Sequence, residues 1–116
     1  MLLRESTFTL PKGWLTPEGE LLQTGTIRPT TGLDELIAQS DPRVVADPLY
    51  LPFVLLSQVI TTLGHWTIVT PTDLESLFLR DMLYLQWVYH LINQEDGARA
   101  SMGELSATLW SNFTKR

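Results

Sequence analysis

The chain has 116 residues, with 8 Lys and Arg against 13 Asp and Glu for a formal net charge of −5, and it contains no cysteine. That length allows one domain around one core, and the missing thiols exclude disulfides, thiol catalysis and zinc–thiolate sites. Hydrophobic residues make up 44% and charged residues 18%, which is too apolar for a disordered chain and short of charge for a solitary monomer.

Residues 5–30 read as a β-hairpin. Thr7-Phe8-Thr9-Leu10 is β-branched and aromatic, and Leu21 to Ile27 is a second such run. Between them lie the turn-rich stretches Pro11-Lys12-Gly13 and Thr16-Pro17-Glu18-Gly19, and Pro29 ends the second run. This predicts two strands joined by a long, decorated loop. A lone hairpin is marginally stable, so its apolar face must rest on another element.

Residues 31–95 read as a helical body. Leu33, Leu36 and Ile37 predict a short amphipathic helix capped by Thr30 or Thr31. Asp41-Pro42 and Asp47-Pro48 repeat one start signal, since Asp accepts from orphan amides and Pro loses no bond at the first helical position. The second signal predicts a helix over 48–63 closed by Gly64, with Pro52 bending or delaying its start. Residues 65–69 read as a connector. Thr70-Pro71-Thr72-Asp73 is the clearest helix start in the chain, and the helix it opens is expected to reach Ile92. Residues 96–116 form a tail. There Leu105, Leu109 and Phe113 recur every four residues, as in a short helix. The expectation is one α+β domain over 1–116: an N-terminal β-hairpin, a body of three to four helices, and a C-terminal tail or short helix.

No run approaches the ~20 apolar residues of a membrane helix. Residues 49–64 include Pro52, Ser57, Gln58, Thr61 and Thr62, and residues 77–92 include Arg80 and Asp81. The N-terminus is too short and too charged for a secretory leader, so a cytoplasmic location is expected. The basic residues are scattered, with only Lys115-Arg116 adjacent, whereas a phosphate-binding footprint needs clustered positive charge. Nucleic acid is not expected as a partner.

At 100° per residue, Leu74, Leu77, Phe78, Leu85, Val88, Leu91 and Ile92 share one face of the long predicted helix, with Asp81 in its middle. A carboxylate buried there must be paired, and the first reading of Asp81 is a structural one, bonded to a neighbouring backbone or a basic residue. A functional carboxylate is the alternative. Thr72, Glu75, Ser76, Arg80, Gln86 and His90 make the opposite side polar, yet Leu79, Leu83 and Trp87 run along it at spacing four. Either the helix is buried nearly all round, or this stripe docks another chain. Of the four tryptophans, Trp14 and Trp110 fall in segments read as loop and tail, which makes them the better partner-contact candidates.

No nucleophile elbow, phosphate loop, dinucleotide fingerprint or zincin motif is present. The histidines, His65 and His90, read as surface or packing residues, with a shared His65–His90 site as the alternative. The acid pairs Asp34-Glu35 and Glu95-Asp96 read as solvated helix ends. No catalytic, cofactor or metal residues are assigned.

The order of the pieces carries a resemblance. A TFTLPKGW…EGELLQTGTIR hairpin precedes DPRV…ADPLYLPFVLLSQVITTLG, followed by VTPTDLESLFLRDMLYLQWVYHLIN. Over residues 7–93 this resembles the small tail-assembly proteins of contractile-tailed phages and phage-derived contractile injection systems, among them tail assembly chaperones and baseplate-assembly proteins. The Leu55 to Gly64 segment and the pattern Asp81…Tyr84-Leu85-Gln86…Tyr89…Ile92-Asn93 are its most specific parts. The resemblance implies a non-enzymatic protein that binds a tape-measure or baseplate component. The alternatives are a permanent baseplate subunit and, from another class, a generic dimeric binding domain; an enzyme built on Asp81 comes last.

Overall fold

The computed structural model describes residues 5–94. Strands β1 (Ser6–Leu15) and β2 (Leu21–Ile27) form the expected antiparallel hairpin. The turn between them is tied by the Thr16 hydroxyl, which accepts from the Glu20 amide. Helices α1 (Gly32–Ser40) and α2 (Pro42–Ala46) follow, then a 3-10 turn over Pro48–Tyr50, α3 (Leu51–Val59), strand β3 (Ile60–Leu63), α4 (Pro71–Glu75) and α5 (Leu79–Ile92). The architecture is α+β, with a three-stranded antiparallel sheet in the order β1-β2-β3 and helices packed against it.

Two predicted helices are shorter than expected. The helix opened by Asp47-Pro48 first makes a 3-10 turn, takes Pro52 within its first α-turn, and ends at Val59. Ile60-Thr61-Thr62-Leu63 then pairs with β2 instead of continuing the helix. Its β-branched residues suit a pleated strand, and Thr26 Oγ1 bonds the hydroxyls of both Thr61 and Thr62, at 2.6 and 2.7 Å. The predicted hairpin is therefore two strands of a larger sheet. Gly64, at φ +61, then turns the chain so that Leu63 and Trp66 exchange backbone bonds.

The helix predicted over 70–92 is two helices. Thr70 and Asp73 form the expected capping box, but the run breaks over 76–78. No glycine or proline marks this break. Ser76 instead donates to the Asp73 carbonyl and accepts from the Trp14 indole, and Phe78 is extended, so α5 restarts at Leu79.

The core lies between the sheet and the helices. Phe8, Leu10, Trp14, Leu22 and Ile27 meet Leu55, Leu56, Val59, Leu74 and Leu85 there. At Gly25 the strands approach closely: a Cβ at this position would lie 2.6 Å from Phe8 Cζ and would strike the Thr62 carbonyl oxygen.

Helix α1 reverses its expected face. Of the two expected caps, Thr30 and Thr31, it is Thr31 that caps the helix, yet Leu33, Leu36 and Ile37 are exposed, while Asp34 and Ala38 are buried. Asp34 is not a solvated helix end, as Asp34-Glu35 was read. It accepts from both terminal nitrogens of Arg28, at 2.7 and 2.9 Å, and from the Thr31 amide. Arg28 also donates to the Pro29 and Gln58 carbonyls. One ion pair thus ties the end of β2 to α1 and α3 and decides which side of α1 faces in.

Candidate functional site

The site is built on α5 and the irregular stretch of β1 beside it. Between Thr9 and Trp14 the register of β1 slips, because Thr9 pairs with Thr24 while Trp14 pairs with Leu22. The surplus residues of β1 have no register partner on β2, which frees backbone amides that a regular ladder would use. Side chains on α5 take them up. Asp81 Oδ1 accepts from the Lys12 amide at 2.8 Å and Oδ2 from the Gly13 amide at 2.9 Å. One turn along, Tyr84 Oη accepts from the Thr9 amide at 3.2 Å. Gly13 has φ +95, a conformation that a side chain disfavours.

Asp81 is fully buried. Charge-assisted bonds from two amides compensate its desolvation, and its place in the first turn of α5 sets it at the positive end of the helix dipole. Both oxygens are engaged by backbone. The arrangement holds β1 on α5 and leaves no open face on the carboxylate for substrate.

On the outer side of α5 the stripe predicted from spacing is largely exposed: Leu79 is 72% and Trp87 53% accessible, with Leu83 half-buried. Phe78 and Leu91, which the sequence placed on the core face, are also exposed. The break at 76–78 resets the helical phase, so the residues before and after it no longer share one face. Gln86 and His90, read as part of a polar outer face, are buried instead. Burial holds His90 below the ordinary histidine pKa. Leu83, Tyr84 and Trp87 line an open groove of about 560 Å³ with Pro11 and Arg80. The Lys12 ammonium lies 4.9 Å from the centre of the Phe78 ring. The groove is apolar with a basic rim, on a chain that is acidic overall.

The two tryptophans proposed from loop and tail part company. Trp14 is not in a loop. It belongs to β1, is 6% accessible, donates its indole N–H to Ser76 at 3.1 Å, and packs edge-on to Trp66 at 4.5 Å. It is a core residue, which removes it from the contact surface. Trp110 lies outside the described residues.

A second apolar surface, missed as such, is the outer side of α1 with Leu33, Leu36 and Ile37, and Val45 and Leu49 are exposed just beyond it in sequence. The apolar periodicity was visible, but its direction depended on the Arg28–Asp34 pair, which is anchored to α3 through the Gln58 carbonyl. His65 is exposed, with Nε2 2.8 Å from Glu20 Oε1. Among the described residues no group of three His, Cys, Asp or Glu is spaced to hold a metal, and no helix is long and apolar enough to cross a membrane.

The chemistry available at the groove is therefore the burial of apolar side chains, with Arg80 placed to meet a carboxylate. Comparison of the chain with protein families, with curated proteins and with solved structures gives no match.

Proposed function

We propose that this protein is a non-enzymatic assembly factor, a chaperone or adaptor that takes an apolar helix of a tail component on the outer face of α5. The observation that carries the reading is the exposed stripe of Leu79, Leu83 and Trp87 around the groove. A helix seated there would present apolar residues at spacings of three and four, the usual helix-in-groove mode, with an acidic residue toward Arg80. Trp and Arg are the residue types most often found to anchor interfaces. The assignment to a contractile phage-tail-like particle, with a tape-measure or baseplate protein as partner, rests on the sequence resemblance over residues 7–93.

The test is affinity capture of the tagged chain, with mass spectrometry, from cells expressing its native gene neighbourhood, beside a Leu83→Asp variant. Recovery of a tape-measure or baseplate protein by the parent chain and its loss with Leu83→Asp supports the reading. Absence of the chain from finished particles makes it a chaperone, and fixed stoichiometry within them makes it a permanent subunit. A stable homodimer through the stripe, with no tail protein recovered, replaces both with a dimeric binding domain.

A further inference from the structure

The described residues hold four Lys and Arg: Lys12, Arg28, Arg43 and Arg80. Arg28 and Arg43 are paired with Asp34 and Asp41. Among the described residues Lys12 and Arg80 form no ion pair; both are exposed, and both stand at the N-terminal turn of α5. Arg80 lines the groove beside Pro11, and Lys12 sets its ammonium over the exposed Phe78 ring. Asp81 is no counter-ion for either, since it is fully buried and both its oxygens accept from backbone amides. On a chain with 13 acids against 8 bases, the two unpaired cations are thus gathered at one end of the apolar groove.

We propose that the occupant of this groove is an acidic amphipathic helix, whose carboxylates meet Arg80 and Lys12 and whose apolar residues continue from there over Leu83 and Trp87. This rests on the docking reading of α5 and adds to it the chemistry that selects the partner. Trp87 lies two turns beyond Arg80, about 10 Å along the axis. The partner's acids therefore stand two turns from the side chain that covers Trp87. With cations at one end only, the groove also fixes the direction in which the apolar stripe runs.

A second copy of this chain lacks that complement at this face. An isologous dimer brings the same patch to itself, Asp81 is the one acid in α5, and β1 has none. Pairing α5 with α5 would leave the cations of both copies without a carboxylate. Exposed ion pairs add little affinity each, but they reject partners of the wrong sign. A helix with the same leucines and a basic flank would be turned away.

The probes are three labelled synthetic peptides of about 18 residues, long enough to hold a helix, with one leucine stripe at spacings of three and four. They differ only in two residues at one end of the stripe: Glu, Gln or Lys. Binding to the full chain is read by fluorescence anisotropy. The Glu peptide is expected to bind about tenfold tighter than the Gln peptide, and the Lys peptide weakest, with the margin falling below about twofold at roughly 0.5 M salt. Lys12→Gln with Arg80→Gln should erase the ranking and leave the melting temperature nearly unchanged, since both side chains face solvent. Equal affinity for the Glu and Gln peptides overturns the proposal; if Leu83→Asp abolishes both, the docking face stands and only its charge requirement falls. Binding of none of the three overturns the docking reading as well. A homodimer that Leu83→Asp dissolves makes a second copy the occupant, and binding to vesicles of phosphatidylcholine and phosphatidylserine in place of the peptides makes the patch a lipid contact; either result overturns the proposal.

Discussion

The Asp81 carboxylate and the Gly13 amide, 68 residues apart in sequence, meet at 2.9 Å in the interior. This contact joins the first turn of α5 to the irregular stretch of β1, and the Lys12 amide reinforces it at 2.8 Å. Neither amide has a ladder partner across the bulge, so the carboxylate replaces what the sheet gives up.

Asp81→Leu should therefore cost about 2–4 kcal/mol of stability, since it leaves two inward amides unsatisfied at roughly 1–3 kcal/mol for each group fully buried. Asp81→Asn keeps one acceptor and the shape, and should cost about half as much. Urea denaturation of the three proteins measures the differences. A neutral Asp81→Leu would show that water serves these amides as well as the carboxylate does.

Asp34 gives a pH signature. Its bonds from Arg28, and then those from Thr31, hold its carboxyl at about 2, against 3.8 for an ordinary aspartate. A depressed folded value means that the stabilisation is complete above the unfolded pKa of about 4 and disappears as the pH falls toward 2. The contribution is roughly 2 kcal/mol. Asp34→Asn should lower stability at pH 7 and flatten the decline between pH 4 and pH 2, as followed by denaturant midpoints across that range.

Gly25 tests the sheet that the sequence hid. In a two-stranded hairpin a side chain at this position of β2 would meet only the ring of Phe8, its partner on β1. With β3 paired on the other side, a Cβ meets the Thr62 carbonyl and the Phe8 ring. Gly25→Ala should destabilise by about 1–3 kcal/mol through forced backbone shifts, whereas Gly19→Ala, at a turn with nothing near its Cβ, should cost only the strain of its positive φ.

What could be read from the sequence follows the range of the interaction responsible. The caps at Thr31, Asp41, Asp47 and Thr70 are set by neighbours within three residues, and all four were legible as helix starts. Asp81 was legible as a paired residue because a carboxylate amid leucines must find donors, although the β1 bulge that supplies them leaves no local mark. The third strand was hidden because Ile60 to Leu63 extends an apolar helical run, and only pairing with β2 decides its state. The inward face of α1 was lost for a different reason: Leu33, Leu36 and Ile37 outvote Asp34 in any apolar periodicity, and its ion pair with Arg28, only six residues away, reverses the result. The outer stripe of α5 was legible because Leu79, Leu83 and Trp87 recur at spacing four within one helix, whereas Gln86, His90 and Leu91 were placed on faces counted from Leu74, before the break at 76–78.

The two tryptophans Trp14 and Trp87 separate folding from docking. Trp14 lies in the core against Trp66, so Trp14→Ala should cost about 3–5 kcal/mol, as core aromatic truncations do. Trp87 is more than half exposed, with its ring centre 6.2 Å from that of Tyr84. Its truncation leaves little cavity, and Trp87→Ala should change stability by less than about 1 kcal/mol. If α5 is the docking face, the same substitution should reduce capture of a tail component at least tenfold, the loss expected when an interface anchor worth about 2 kcal/mol is removed. Thermal melts and capture measured on both variants give the comparison. A Trp87→Ala protein that melts far below the parent would put the stripe in the core, while one that melts normally and still captures its partner would move the docking face elsewhere, first to Leu33, Leu36 and Ile37 on α1.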